Sequence, residues 1–212
     1  MGDVSKQKRE DMIMGFDVYG LNPTIREDSV KPEIDWDTNP SGEEKKAYFE
    51  QSEKYEDANK GVYFRNNVWW WRRLAQYVYE NTDQISEDEY GRWHENSGHQ
   101  VDEDTAIRIA NTLEALIKQG HTAEYQMIVE KSMAEAEEFN KGIEEKMSAL
   151  RESVIKLTGN KDIAPTNYPE IQNKEWENLY SQKSWDDSYP FSVENVQDFA
   201  DFCRQSGGFE IC

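Results

Sequence analysis

Cysteine is nearly missing from this chain, with only Cys203 and Cys212 among 212 residues. Two thiols cannot build a disulfide framework, nor a four-ligand zinc site by themselves. Long apolar runs are missing too. No stretch approaches the roughly 18 residues that span a bilayer, and Met1–Arg9 lacks the apolar segment of a secretory signal. There is no Gly-x-Ser-x-Gly elbow, no phosphate-cradling Gly-Lys-Ser/Thr loop and no Gly-x-Gly-x-x-Gly turn. These absences argue against a familiar enzyme, and the expectation is an intracellular, cytoplasmic chain with no cofactor and no membrane contact.

Positive charge is scarce as well. Lys and Arg number 24 against 43 Asp and Glu, a formal charge of −19. Only 36% of residues are hydrophobic, which by itself would suit a disordered chain. Seven Trp, eleven Tyr and eight Phe speak for a packed body instead. An acidic surface repels nucleic acids and anionic membranes and attracts basic proteins. The one short basic patch is Arg65 with Arg72 and Arg73. Plain solubility explains such a charge. Mimicry of nucleic-acid phosphates is a sharper reading, weakened because the acids are spread along the chain and interleaved with lysines.

Hydropathy patterning predicts an α+β fold, mostly α, with a small sheet near the termini packed by helices and one long acidic helix. Residues 1–11 read as a flexible terminus and 12–212 as a single domain. Residues 12–19 alternate as a strand, stopped by Gly20-Leu21-Asn22-Pro23. Residues 25–60 read as an inserted surface excursion with one helix after Ser41. Asn66 or Asn67 is placed to cap a helix whose Val68, Trp71, Leu74, Ala75 and Val78 face inward. Asp102 can cap a second helix, striped by Ala106, Ile109, Ala110, Leu113, Leu116 and Ile117 and stopped at Gly120.

The longest predicted helix covers 122–158, about 50 Å at 1.5 Å per residue. Ile143, Met147, Leu150, Val154 and Leu157 form a heptad seam along it. So narrow a stripe needs a partner, either elsewhere in this chain or in a second copy as a homodimer. Residues 160–190 read as loop. Ser192 caps a last helix with Val196, Phe199, Ala200 and Cys203 inward, and Phe209–Cys212 is expected to pair with the strand near Phe16.

Three histidines, at 94, 99 and 121, are too few and wrongly spaced for the His-Glu-x-x-His zinc helix. A loop could present His94, His99 and Asp102 to a metal, although surface histidines beside a helix cap are the simpler reading. Successive residues of a helix turn by about 100°, so Trp69, Trp70 and Trp71 cannot all face one side. This block is read either as a core anchor or as a ligand platform. The candidate binding residues are Arg65, Asn66, Asn67, Trp70, Arg72, His94, Asn96 and His99.

Several stretches carry a resemblance. They are Met14-Gly15-Phe16-Asp17-Val18-Tyr19-Gly20-Leu21-Asn22-Pro23, Gly61-Val62-Tyr63-Phe64-Arg65-Asn66-Asn67-Val68-Trp69-Trp70-Trp71-Arg72, His94-Glu95-Asn96-Ser97-Gly98, 106–120, and 189–196 continuing through Ser206-Gly207-Gly208-Phe209-Glu210-Ile211-Cys212. Together they cover roughly half the chain and resemble an uncharacterised family of short proteins from bacteria and their phages. The resemblance implies a phage or prophage origin and brings no activity. Relatives of this pattern carry paired Cys-x-x-Cys motifs where this chain has its long acidic helix, so zinc is not carried over. The family pattern also has Pro where Arg73 stands, and it lacks 25–60.

The leading functional expectation is an acidic, non-catalytic interaction protein of phage or prophage type. It would bind a basic host or viral protein, with inhibition of that protein as one form of the reading, without touching nucleic acid directly. Glu135, Glu137, Glu138, Glu144 and Glu145 on the long helix are its contact candidates. The alternatives are a small-ligand binder or enzyme built on the Trp–Arg block with His94 and His99, and an assembly component joined through the long helix.

Overall fold

The computed structural model describes residues 15–212. Residues 1–11 and the first residues of the expected strand, Met12 to Met14, lie outside them. Four strands and seven α-helices follow in the described residues. They are β1 Gly15–Gly20, α1 Gly42–Ala58, β2 Tyr63–Asn67, α2 Val68–Asn81, α3 Glu87–Arg92, β3 His99–Val101, α4 Glu103–Lys118, α5 His121–Thr158, α6 Glu170–Ser181, α7 Val193–Gln205 and β4 Phe209–Ile211. The fold is α+β and mostly α. Where the sequence suggests a single domain, the chain forms two compact units. One runs to Gln126 and resumes at Phe191–Cys212; the other is Met127–Pro190.

In the first unit the sheet is antiparallel, in the order β2-β1-β4-β3. As expected, the last strand joins the first. Val18 pairs with Ile211, and Asp17 exchanges both backbone hydrogen bonds with Cys212, at 2.8 and 2.9 Å. Strand alternation sends Phe16, Val18, Phe64, Phe209 and Ile211 to one face, where all are buried. Helices α2 and α7 supply the facing layer through Trp71, Leu74, Val78, Val196, Phe199 and Phe202. Trp71 sits at the centre, stacked on Phe16 at 5.4 Å and on Trp93 at 5.7 Å. Cys203 is buried on the inner face of α7, and burial pushes its thiol well above its ordinary value, which makes it unreactive.

The capping readings hold. Asp102 accepts Thr105 N at 2.9 Å, Ser192 accepts Asn195 N at 3.1 Å, and Gly120 takes a left-handed φ of 83°. Gly207 at the end of α7 also has a left-handed φ, 60°, and a Cβ there would run into the Asn22 backbone carbonyl. Of residues 25–60 only Pro40 and Asn59 are buried. Asn59 closes that excursion, accepting Arg26 N at 2.9 Å while donating to Ser29 Oγ at 3.1 Å and Tyr55 O at 2.7 Å.

In the Met127–Pro190 unit, α5 turns its seam toward α6. Ile143, Met147, Leu150 and Leu179 form a buried cluster with Trp176 against it. Part of the seam therefore finds its partner inside the chain. Leu157, counted in the seam by spacing, is 66% exposed and does not belong to it. Asn140 fastens the following turn: its amide donates to Ser184 O and Asp187 Oδ2 at 2.7 Å, and its carbonyl accepts Ser184 N at 2.9 Å.

Four elements were not foreseen. The stretch 160–190, read as loop, holds α6; its N-cap is Pro169, which offers no side-chain acceptor and so no sequence signal. The segment around His94, also read as loop, is flanked by α3 and β3. The missed signal for α3 is the Ser86-Glu89 capping box, present in full. Residues Tyr63–Asn67, of which only Asn66 or Asn67 was read, as a helix cap, pair with β1. Among the described residues no helix is long and apolar enough to cross a membrane.

Candidate functional site

The turn from β2 into α2 sets the site. Asn67 accepts Trp69 N and Trp70 N, each at 3.1 Å, and so satisfies two donors that would otherwise be orphaned at the start of α2. Asn67 is therefore committed to the fold. The cap directs Trp71 into the core and leaves Trp70 half-buried beside the first turn of α7. There Trp70, Asn66, Glu194, Asn195 and Asp198 wall a hollow of about 210 Å3. A second hollow of about 360 Å3 shares Asn66, Asn195 and Asp198 and extends to Glu53, Glu56, Asp57, Lys60 and Arg65. The two form one crevice between α1, β2 and α7.

The electrostatics of the crevice are one-sided. Lys60 is drawn to Asp57 at 3.4 Å and Arg65 to Asp17 at 3.5 Å. Glu53, Glu56, Glu194 and Asp198 remain as a surplus of negative charge. Partial burial raises the carboxyl of Glu56 above its ordinary value, and Asp57 and Glu53 add repulsion. Partial burial likewise raises Asp198, with Glu194, Asp201 and Asp57 pushing the same way and Lys60 opposing. The Asn66 Nδ2 is buried with no acceptor. Carboxylates held together at such a cost mark a place where a cation would be welcome.

The other candidates lie elsewhere. His94 stands edge-on to Tyr90 at 4.7 Å, and Tyr90 stacks on Tyr79 at 4.4 Å. His94 walls neither hollow of the crevice, so Arg65, Trp70 and His94 do not converge. Arg72 lies near enough to His94 to act on its charge. Asn96 donates to Gly15 O at 3.4 Å, and His99 sits in β3 opposite Ile211. Asp102 spends both oxygens on Thr105, at 2.9 Å each. Among the described residues no three His, Cys, Asp or Glu side chains converge on a metal position, so His94, His99 and Asp102 form no such set.

His94 does carry a pH dependence. Its Nδ1 is buried without a partner, and burial, with Arg72 adding to it, holds the imidazole below its ordinary value. The unfolded chain accepts the proton near pH 6.5 while the folded one resists it, so stability falls as pH drops through that value. Urea midpoints at about pH 7.5 and about pH 5.5 should show a larger loss for the native chain than for His94→Gln. An equal loss in both would contradict this.

On α5, Glu135, Glu137, Glu138, Glu144 and Glu145 are all exposed. Glu144 accepts Lys183 Nζ at 2.7 Å and Glu135 lies 3.8 Å from Lys131 Nζ. Glu137 walls two hollows, of about 520 and 450 Å3, the second together with Glu138 and Glu144; Glu145 walls neither. Comparison with family models, curated proteins and solved structures returned no match.

Proposed function

We propose that this chain is an acidic interaction protein of phage type that binds a basic host or viral protein. One observation carries the reading: five surface hollows are walled by carboxylates. Glu33 and Asp35 stand in the first, Glu53, Glu56 and Asp198 in the second, Glu194 and Asp198 in the third, Glu130 and Glu137 in the fourth, and Glu138 and Glu144 in the fifth. The only cations in these walls are Lys60, Arg65 and Lys141. Such walls reject phosphate and carboxylate ligands and suit lysine and arginine side chains. The crevice between α1, β2 and α7 concentrates this character, because its carboxylates are partly desolvated and a Trp70 ring lies among them.

Affinity capture from host lysate at low and at high salt tests the reading. A basic protein should be retained at low salt and released at high salt, since exposed charge pairs are screened within about 10 Å or less. Recovery of no partner at either salt, or of a partner held equally at both, would overturn it.

A further inference from the structure

The 25–60 excursion carries eleven acidic residues against six basic ones, and it also exposes aromatic rings. Trp36 is 51% and Phe49 59% exposed. Tyr48 lies between them: its ring meets Trp36 edge-on at 5.8 Å and Phe49 at 5.5 Å, and Trp36 and Phe49 are 6.3 Å apart. Large rings that cluster with one another yet stay in solvent are a recurrent mark of interaction surfaces.

The support under these rings is stiff. Asp35 caps the short turn Trp36–Thr38, accepting Asp37 N at 3.0 Å, and Asn39 ends it in a left-handed conformation with its N–H on Trp36 O at 3.2 Å. Two residues later Ser41 and Glu44 form a complete capping box at the start of α1. Both ring-bearing elements are thus fixed before any partner arrives, which lowers the entropy cost of docking. Tyr48 also belongs to the wall of a hollow of about 360 Å3 that Glu33, Asp35 and Glu44 share.

We infer that this aromatic and carboxylate surface docks an arginine-bearing segment of the basic partner, with a guanidinium stacked on the Trp36–Tyr48 rings and paired with Glu33 or Asp35. The inference rests on the reading of the chain as a binder of basic proteins and names where and how the partner is gripped. The choice of occupant follows from charge and shape together. An apolar segment would cover Glu33 and Asp35 without neutralising them, a desolvation cost with no return. An acidic one would be repelled. Lysine answers the charge, but its ammonium is a compact, strongly hydrated point. Arginine's planar guanidinium stacks on rings and pairs a carboxylate at the same time.

Calorimetric titration of the whole protein with two synthetic peptides tests this, one with several arginines and one with lysine at the same positions. The arginine peptide should bind one to one and several-fold tighter than its lysine counterpart. Trp36→Ala leaves the charge of the chain untouched and removes an exposed side chain. It should weaken the arginine peptide roughly tenfold and abolish the preference over lysine, with the thermal midpoint unchanged. Tyr48→Ala, which removes the ring shared by the stack and the carboxylate hollow, supplies a second variant with the same expected loss of affinity and preference. Native affinity in both variants, or equal affinity for the two peptides in the native protein, would overturn the inference while leaving the broader reading standing. Failure of both peptides to bind the native protein at low salt would remove the broader reading itself. A concentration-dependent dimer in sedimentation, dissolved by Trp36→Ala, would assign the surface to a second copy of the chain and overturn the inference too.

Discussion

Trp71→Ala should remove a large part of the stability of the sheet-bearing unit. The side chain is fully buried, stacked on Phe16 and Trp93 and edge-on to Phe199 at 5.9 Å, and its Nε1–H donates to Trp93 O at 2.6 Å. Truncation of a buried Trp costs about 3–5 kcal/mol in lost transfer energy and cavity. The Trp93 carbonyl, left buried without its donor, adds about 1–3 kcal/mol. Small domains have about 5–15 kcal/mol in total, so a combined loss of about 4–8 kcal/mol takes around half or more of a typical reserve. Urea denaturation should show the midpoint fall steeply and the near-ultraviolet circular dichroism weaken. Trp71→Phe keeps a ring in the stack and should lose only part of the stability. The neighbouring Trp70→Ala, on the half-buried side of the helix, should cost about 1 kcal/mol or less. A Trp71→Ala protein with the native midpoint would contradict the packing described.

The second large effect falls on binding. Neutralising the crevice by Glu53→Gln, Glu56→Gln, Glu194→Gln and Asp198→Asn takes the formal charge from −19 to −15. Glu56 and Asp198 are held above their ordinary values by burial and repulsion. For a carboxyl raised in this way, the folded state is favoured at low pH and loses that favour as pH rises through the folded value. At neutral pH the charges therefore work against folding. The variant should unfold at the same urea concentration as the native chain or a higher one. Its affinity for the basic partner should fall by roughly fourfold to several hundredfold, since four pairs at about 0.2–1 kcal/mol each are removed. Loss of function without loss of stability is the pattern expected where charge is kept for a partner and not for the fold.

Much of the fold was legible because it rests on local chemistry. Spacing of Trp71, Leu74 and Val78 marked the inner face of α2, and Asp102, Gly120 and Ser192 bounded their helices by caps and a stop. Pairing of the chain ends followed from two short alternating segments, one at either end of the described body. Helix α6 escaped because Pro169 caps it with no side-chain acceptor, and β3 because three residues cannot display a period. Leu157 was misplaced because heptad spacing says nothing about where a covering helix stops. The site was legible only in part. Arg65, Asn66 and Trp70 do share a crevice, but its carboxylates come from α1 and α7, far apart in sequence, and no spacing joins Glu53 to Asp198. His94, Asn96 and His99, adjacent in sequence to one another, are spent on packing and pairing. The exposed rings of Trp36 and Phe49 were not singled out, although 25–60 reads as a surface excursion, because no spacing joins a ring in a short turn to one in the following helix.

Affinity for the basic partner, measured over a series of salt concentrations for the native chain and for the crevice variant, tests the central claim most directly. Binding by the native chain should weaken steeply and steadily with salt, and the variant should bind less tightly with a shallower dependence. Affinity that stays level across the series, or a variant that follows the native curve, would contradict the account.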